Sequence, residues 1–240
     1  MKHKKLFQTF FALLLLITLV VPKGAFANQI KDTTRFNEYK SYIEKGYIAD
    51  DIDYNTWLKL VHESENLEKK LASSKEFIQV YSSKNDRAKS GFSLKSGDVL
   101  ITNGTTICGI TGHAGIAVSP YYILHIGGPG ETPQLISLTS WNNEFTSGGN
   151  WTAVYRHTSY DVAHAAANWA INTYLNSGAP YLLTSDLYTT AYTYCSKMVW
   201  QAYAFGPFPS QATIPYWSLG FIYPYDLPNL INDISLVYGY

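Results

Sequence analysis

From Asp98 onward, short apolar and β-branched runs alternate with glycine, and this pattern constrains the fold more than any other feature of the chain. Runs of this length, bounded by glycine and turn residues, are typical of strands in an antiparallel sheet. Two helical stretches follow, over about 160–176 and from Cys195 to Phe205. Strands followed by helices predict an α+β fold with a small antiparallel sheet packed on helices. The predicted strands are Asp98 to Thr102, Gly115 to Val118, Tyr122 to Ile126, Gln134 to Leu138 and Thr152 to Arg156.

Residues 28–92 have a different character, polar and helical. Apolar residues recur there at helical spacing, and either Asp53 or Asn55 is placed to cap a helix. An apolar stripe of this kind is usually a core contact, so we assign it no chemistry. The pattern predicts a helical N-terminal segment over 28–92 and a catalytic domain over 93–240. The last part of that domain is rich in proline, tyrosine and tryptophan, and we expect it to wrap the sheet.

The first 27 residues have the pattern of a secretory signal peptide. A basic start is followed by a mostly apolar run from Leu6 to Val21, and Ala25-Phe26-Ala27 supplies a small-x-small cleavage pattern. An uncleaved membrane anchor is the alternative, but the apolar run is short for a membrane span and a good cleavage site follows it. The sequence therefore predicts a signal peptide over 1–27, a mature chain beginning at Asn28, and a secreted protein, either free or associated with the cell wall.

The charge balance limits the classes of partner. The chain has 18 Lys and Arg against 18 Asp and Glu, and cleavage after residue 27 removes four lysines and no acid. The 14 basic residues that remain give a net charge near −4. Nucleic-acid binding needs a concentrated basic face, so we expect no nucleic-acid partner. No second long apolar stretch exists, so we expect a soluble mature chain without a transmembrane span. The residue pattern predicts no cofactor and no metal.

Two histidines lie where paired strands would bring them together. His113 precedes the apolar run that ends at Val118, and His125 ends the run that begins at Tyr122, with a plausible hairpin turn between the two runs. Antiparallel strands of this length set the two histidines side by side. One imidazole can then hydrogen-bond the other and fix its tautomer.

The other candidate is a cysteine where a helix begins. From Cys195 to Phe205 there is no Gly or Pro, and Gly206-Pro207 then ends the helical pattern. A cysteine in a first helical turn is near the positive end of the helix dipole, which favours thiolate. The free backbone N–H groups there can also bind an oxyanion. These features predict a reactive thiol with a lowered pKa.

Simpler interpretations of the same residues remain open. A single cysteine in an apolar helix is usually a small core residue, and a histidine on a strand is usually a hydrogen-bonded polar group. Cys108, five residues before His113, could form a disulfide with Cys195 in an exported protein. If the catalytic interpretation holds instead, both thiols are free and Cys108 reacts slowly.

The motifs together resemble a known family. Gly97-Asp98-Val99-Leu100, Gly112-His113-Ala114-Gly115-Ile116 and Tyr194-Cys195-Ser196 are similar to the motifs of circularly permuted papain-like amidases, the YiiX-like relatives of NlpC-type cell-wall peptidases. In the unpermuted family the cysteine motif precedes the histidine strand, whereas here the order is His, His, Cys. The resemblance covers residues 93–240 and implies a permuted papain-like fold for that domain.

The resemblance also implies roles for individual residues. It implies Cys195 as nucleophile, His113 as general base and acid, and His125 as the orienting residue. The last position is commonly glutamate in the permuted branch and histidine in the NlpC-type branch. The resemblance implies Tyr181 and Ser196 as substrate-binding residues. Lys197 stands where an acidic or small residue is more usual.

Three functions follow from these observations. The first is a secreted cysteine amidase or peptidase that acts through a Cys-His-His triad on a peptide or acyl-amide substrate, most simply a bacterial cell-wall peptide. The second keeps the thiol chemistry but acts on lipids or esters, as an acyltransferase or a hydrolase. The third is a non-catalytic binding module that retains the three residues as structure.

Overall fold

A computed structural model describes residues 23–82, 91–208, 210–215 and 220–240. The first 22 residues of the predicted signal peptide lie outside these ranges, and the last five fall within the first helix. Two compact units divide the chain, residues 1–38 and residues 39–240. In the ranges given above, no helix has the length and apolar character needed to cross a bilayer. The signal peptide and the boundary near residue 93 remain predictions.

Among the described residues, three α-helices precede the first strand and the other four lie between later strands. Asp53 caps the second helix, where its carboxylate accepts a hydrogen bond from the Thr56 backbone N–H at 2.7 Å, so the first of the two predicted caps is the one used. The α-helices are α1 Lys23–Glu44, α2 Tyr54–Ala72, α3 Lys75–Ser82, α4 Leu138–Phe145, α5 Tyr160–Tyr174, α6 Cys195–Ala204 and α7 Leu227–Leu230.

Six strands form one antiparallel sheet in the order β4-β3-β2-β1-β5-β6, with every neighbouring pair antiparallel. Together with the helices, this sheet confirms the predicted α+β class. The strands are β1 Val99–Ile107, β2 Ile110–Ala117, β3 Tyr122–His125, β4 Gln134–Ser137, β5 Thr152–His157 and β6 Ile234–Gly239.

A tight turn at Cys108-Gly109 joins β1 to β2. Both residues have positive φ, 50° at Cys108 and 82° at Gly109, which is the backbone of a two-residue hairpin turn. The Trp57 indole N–H donates to the Cys108 carbonyl at 2.7 Å and ties the turn to α2. β1 and β2 extend further than the predicted strands Asp98 to Thr102 and Gly115 to Val118. The sequence did not indicate the turn that joins them, because cysteine is an unusual turn residue.

Each face of the sheet buries its own apolar cluster. Residues alternate along a strand, so Val99 and Ile101 of β1 join the larger cluster while Leu100 joins the smaller one. The larger cluster also contains Trp57 of α2 and buried residues of α5 and α6. The smaller cluster is covered by Trp141 and other apolar residues of α4. The sheet is therefore covered on both sides, and α6 and α4 lie on opposite faces.

The C-terminal stretch corrects one expectation. Part of it, Ile234–Gly239, does not wrap the sheet but forms its edge strand β6, paired with β5. Ile234 and Leu236, two residues apart, pack on the larger cluster as a half-buried strand requires. A register shift in the pairing with β5, between Val154 and Tyr155, then places Tyr238 on the smaller cluster. The surrounding proline and aromatic residues obscured that period-two pattern.

Candidate active site

Cys195 is the first residue of α6, and its thiol is surrounded by backbone donors. The N-cap, Tyr194, makes no side-chain cap hydrogen bond, so the first N–H groups of the helix have no capping side chain. The N–H groups of Ala114, Ser196 and Cys195 itself hydrogen-bond the sulfur and act to lower the pKa of the thiol. The cysteine thus occupies the helix start that the sequence predicts.

Burial outweighs those donors. Only 5% of Cys195 is exposed, and the pKa of its thiol is raised above the ordinary value because desolvation penalises the thiolate more than the N–H groups stabilise it. The expected lowered pKa is therefore wrong for the free protein. The sequence showed the helix start but gave no measure of how deeply the sulfur is buried.

The two histidines meet as predicted. His113 Nε2 and His125 Nδ1 are 3.1 Å apart, and the two rings are nearly perpendicular at 82°. β2 and β3 form backbone pairs only at Ile116–Leu124 and Ala117–Ile123. The two imidazoles therefore contact each other just beyond the last backbone pair, where the strands are no longer hydrogen-bonded. One ring nitrogen donates to the other, which fixes the tautomer of both rings.

Aromatic side chains of α4 enclose the histidine pair. The His113 ring lies 5.4 Å from the Trp141 ring and 4.8 Å from the Phe145 ring, and both aromatics also contact His125. Burial holds the pKa of His113 well below its usual range, and the nearby His125 adds to the effect. Burial also lowers the pKa of His125 to about 4. Both imidazoles are therefore neutral at neutral pH.

The thiol and the histidine pair share no hydrogen bond among the described residues, and their side chains pack on different faces of the sheet. Cys195 belongs to the larger apolar cluster, whereas the His113 ring contacts Trp141 of the smaller one. The link between them is the backbone of Ala114, which follows His113 in β2 and whose N–H acts to lower the pKa of Cys195. In the same set of residues, His113 Nδ1 is buried and has no partner. It can accept a proton in the tautomer in which His113 Nε2–H donates to His125 Nδ1.

A narrow cleft opens at the thiol. Tyr181 and Ser196, the two predicted substrate-binding residues, both line it together with Cys195, and its cavity volume is only about 10 Å³. The Ser196 hydroxyl donates to the Ile222 carbonyl at 2.7 Å and its oxygen accepts from the Cys195 thiol at 3.9 Å. The Tyr181 ring is buried, which raises the pKa of its hydroxyl.

Cys108 and Lys197 are both buried near this region. Both cysteines are free thiols, so the alternative of a Cys108–Cys195 disulfide is not what the structure shows. Burial raises the pKa of Cys108 to about 12. Lys197 Nζ donates to the Tyr192 carbonyl at 3.1 Å, and burial lowers its pKa to about 8 against the opposing charges of Asp186 and Asp51.

The sequence analysis missed the Ala114 N–H and the aromatic wall on the histidines. A backbone donor leaves no signal in a sequence, whereas Trp141 and Phe145, spaced four apart after Ser137, show a helical signal that went unused. Across the part of the chain that the structure describes, no three His, Cys, Asp or Glu side chains are grouped to hold a metal ion.

Comparison with known proteins gives three matches. A family model described as lipoprotein N-acylation protein LnsA-like matches residues 56–238. A Bacillus thuringiensis protein, described as an uncharacterized 30.3 kDa protein, is 41% identical over 124 residues, which are 48% of this chain and 46% of that protein. The match thus spans about half the length of that relative. The crystal structure of metalloprotein yiiX from Escherichia coli O157:H7, DUF1105, covers 61% of this chain and 97% of its own at 15% identity and a TM-score of 0.45. The LnsA-like family model alone spans more than half of the chain.

Proposed function

Because the chain belongs to the LnsA-like lipoprotein N-acylation family, we propose that it is a cysteine-dependent acyltransferase that takes its acyl group from a lipid ester. The observation that carries the proposal is the free Cys195 thiol at a helix start, with backbone N–H groups near the sulfur and packed beside β2, the strand that carries His113 with its unpaired Nδ1. A thiol, a base and a group that orients the base are the parts that acyl transfer through a thioester requires.

The first half-reaction forms the thioester. His113 Nδ1 takes the thiol proton of Cys195, and the sulfur attacks the ester carbonyl. A C–S bond forms, the C–O bond breaks, and the proton held by His113 goes to the departing alcohol. The N–H groups of Ala114, Ser196 and Cys195 surround the sulfur, and those at the helix start can stabilise the oxyanion of the tetrahedral intermediate.

The second half-reaction releases the acyl group to an acceptor. An amine attacks the thioester, a C–N bond forms and the C–S bond breaks, and the amine proton passes through His113 back to the Cys195 sulfur. Water in place of the amine gives hydrolysis by the same route. His125 does not touch the substrate in this cycle; it is a positioning residue that holds the tautomer of His113.

The family description favours a lipid over a cell-wall peptide as acyl donor. The motifs alone led first to a cell-wall amidase, whose thiol attacks an amide by the same chemistry. N-acylation of lipoproteins, the activity in the family description, instead needs an acyl donor and an amine acceptor. Export through the predicted signal peptide over 1–27 would bring the enzyme to that acceptor at the outer face of the membrane.

Activity on the two donor classes tests the proposal. The purified chain without residues 1–27 is incubated with phospholipid and an N-terminal diacylglyceryl-cysteine peptide, and separately with purified muropeptides, and products are measured by mass spectrometry. We expect acyl transfer or fatty-acid release from the phospholipid, lost in Cys195→Ala and retained in the matched variant Cys108→Ala. Muropeptide cleavage dependent on Cys195 would favour the amidase instead. No turnover of either donor by the folded, unsubstituted chain would favour a binding module, and equal activity of Cys195→Ala would exclude Cys195 as the nucleophile.

A further inference from the structure

A second, larger cleft lies beside the one at Cys195. Its cavity volume is about 400 Å³, compared with about 10 Å³ at the thiol. α2, the start of α3, β5, β6 and α7 contribute its walls. The lining residues are Leu67, Lys70, Leu71, Ser74, Glu76, Tyr155, Tyr225, Pro228, Asn229, Ile234, Ser235 and Leu236.

Buried residues form the bottom of this cleft, and exposed polar residues lie at its opening. Tyr155, Tyr225 and Leu236 are buried and form its floor. Leu71 and Ile234 are half-buried side walls, whereas polar residues such as Lys70 and Glu76 are exposed at the rim. The lining is therefore mixed, with its apolar side chains on the floor and side walls and polar groups at the rim, which matches a ligand that has a hydrocarbon body and a polar end.

Tyr225 lies between the two clefts. Its ring lines the larger cleft, while its hydroxyl end lies against Gly112, which lines the Cys195 cleft. A Cβ at Gly112 would approach the Tyr225 ring to 2.5 Å and its hydroxyl oxygen to 2.7 Å. Pro224, the preceding residue, also lines the Cys195 cleft. Tyr225 is thus the side chain that separates the nucleophile from the larger cleft.

The Tyr225 hydroxyl is itself an unpaired polar group. Tyr225 is only 2% exposed, and its oxygen has no hydrogen-bond partner among the described residues. Burial is the main reason that the pKa of Tyr225 is raised; the charge and carboxylate of Glu68 raise it further, and the nearby Thr111 hydroxyl lowers it, although neither group is placed to complete a hydrogen bond. A buried hydroxyl without a partner is costly unless a ligand completes it. Here the ligand would have to reach the junction of the two clefts.

We propose that the larger cleft holds the acyl chain of the lipid donor, with the ester carbonyl at Cys195 and the chain passing Gly112 once Tyr225 is displaced. This inference rests on the proposed function, because a peptide donor would have no long chain to place. The cleft at Cys195 is too small for such a chain, whereas the larger cleft offers an apolar floor. The Tyr225 hydroxyl then donates to the ester or thioester group at the junction.

Chain-length selectivity tests the assignment. Each methylene buried in an apolar site contributes about 0.8 kcal/mol, so kcat/KM should rise about fourfold per methylene until the cleft is full. The substrates are p-nitrophenyl esters from acetyl to decanoyl, all below their critical micelle concentrations. Leu71→Trp fills the cleft, and we expect it to lower the decanoyl-to-acetyl ratio of kcat/KM at least tenfold. Leu135→Trp is the matched control, because Leu135 is 41% exposed on β4, at the opposite edge of the sheet, and the ratio should stay unchanged.

The outcomes separate this inference from the proposed function. An unchanged ratio in Leu71→Trp, with Cys195-dependent turnover intact, overturns the chain site alone. If no ester is turned over through Cys195, the proposed function fails and the chain site with it. Thermal unfolding checks that each variant is folded, and Ile234→Trp serves in place of Leu71→Trp if the latter does not fold.

Discussion

At the scale of single residues, the candidate site is neutral when it is free of substrate. The pKa of Cys195 is raised and the pKa values of His113 and His125 are lowered, in each case chiefly because burial disfavours the charged form. In this apolar setting, the desolvation penalty of a thiolate and an imidazolium would exceed the energy of their mutual attraction. In the proposed mechanism, the proton of Cys195 therefore moves to His113 only when a substrate carbonyl has reached the sulfur.

The raised pKa predicts slow alkylation of Cys195 in the free protein. The group is protonated below its folded pKa, so reactivity appears only as the pH rises towards that value. With iodoacetamide at pH 7 we expect Cys195 to react several-fold more slowly than a free thiol, whose pKa is about 8.5, and the rate to rise steadily with pH. Cys108, with a pKa of about 12, should react slowly as well. Peptide mass spectrometry over pH 6–10 gives both rates; rapid alkylation of Cys195 below pH 7 would show a preformed ion pair.

At the scale of secondary-structure elements, the site depends on the close approach of β2 to the segment that contains Tyr225. Gly112 has a φ of 91°, in the region that favours glycine, and no space for a Cβ beside the Tyr225 ring. The next residue along β2 is His113, and the one after it supplies the N–H that reaches the Cys195 sulfur. A side chain at position 112 would push β2 away from Tyr225. Glycine there thus allows the following residues of β2 to pack closely against the start of α6.

Two glycine substitutions separate backbone strain from the clash. Gly112→Ala should lower the free energy of unfolding by about 2–5 kcal/mol, because it adds a left-handed alanine and an overpacked contact. Gly46→Ala carries the strain alone, since Gly46 has a φ of 69° and nothing within 4 Å of a Cβ, and should cost about 1–2 kcal/mol. Urea unfolding of both variants measures the difference. Equal losses would mean that Tyr225 does not pack against Gly112 as described.

At the scale of the whole molecule, local sequence patterns predicted the secondary-structure elements well. They predicted less well how deeply residues are buried once these elements pack together. The β2–β3 hairpin, the helix from Cys195 and the contact of His113 with His125 follow from periodicity over short stretches, and all are observed. The depth of Cys195 depends on segments distant in sequence that pack around it, and no local pattern reports that burial. β6 was missed for a related reason, since its strand character depends on pairing with β5, some eighty residues earlier in the chain.

The arrangement of the whole molecule also relates the two clefts to one chemistry. The Cys195 cleft and the larger cleft share the Gly112–Tyr225 contact, and both depend on residues near the C-terminus that pack beside β2 and β5. Donor carbonyl and donor chain would thus bind at neighbouring sites of one unit, residues 39–240.

The most direct test of the central claim is the mass of the intact protein after brief incubation with phospholipid, without an amine acceptor, and an acid quench. A Cys195 nucleophile should give a single added acyl group, located on the Cys195 peptide and released by neutral hydroxylamine as a thioester is. The adduct should be absent in Cys195→Ala and present in Cys108→Ala. An acyl adduct that persists in Cys195→Ala, or acyl transfer to amine with no adduct on Cys195 at any time, would contradict the claim.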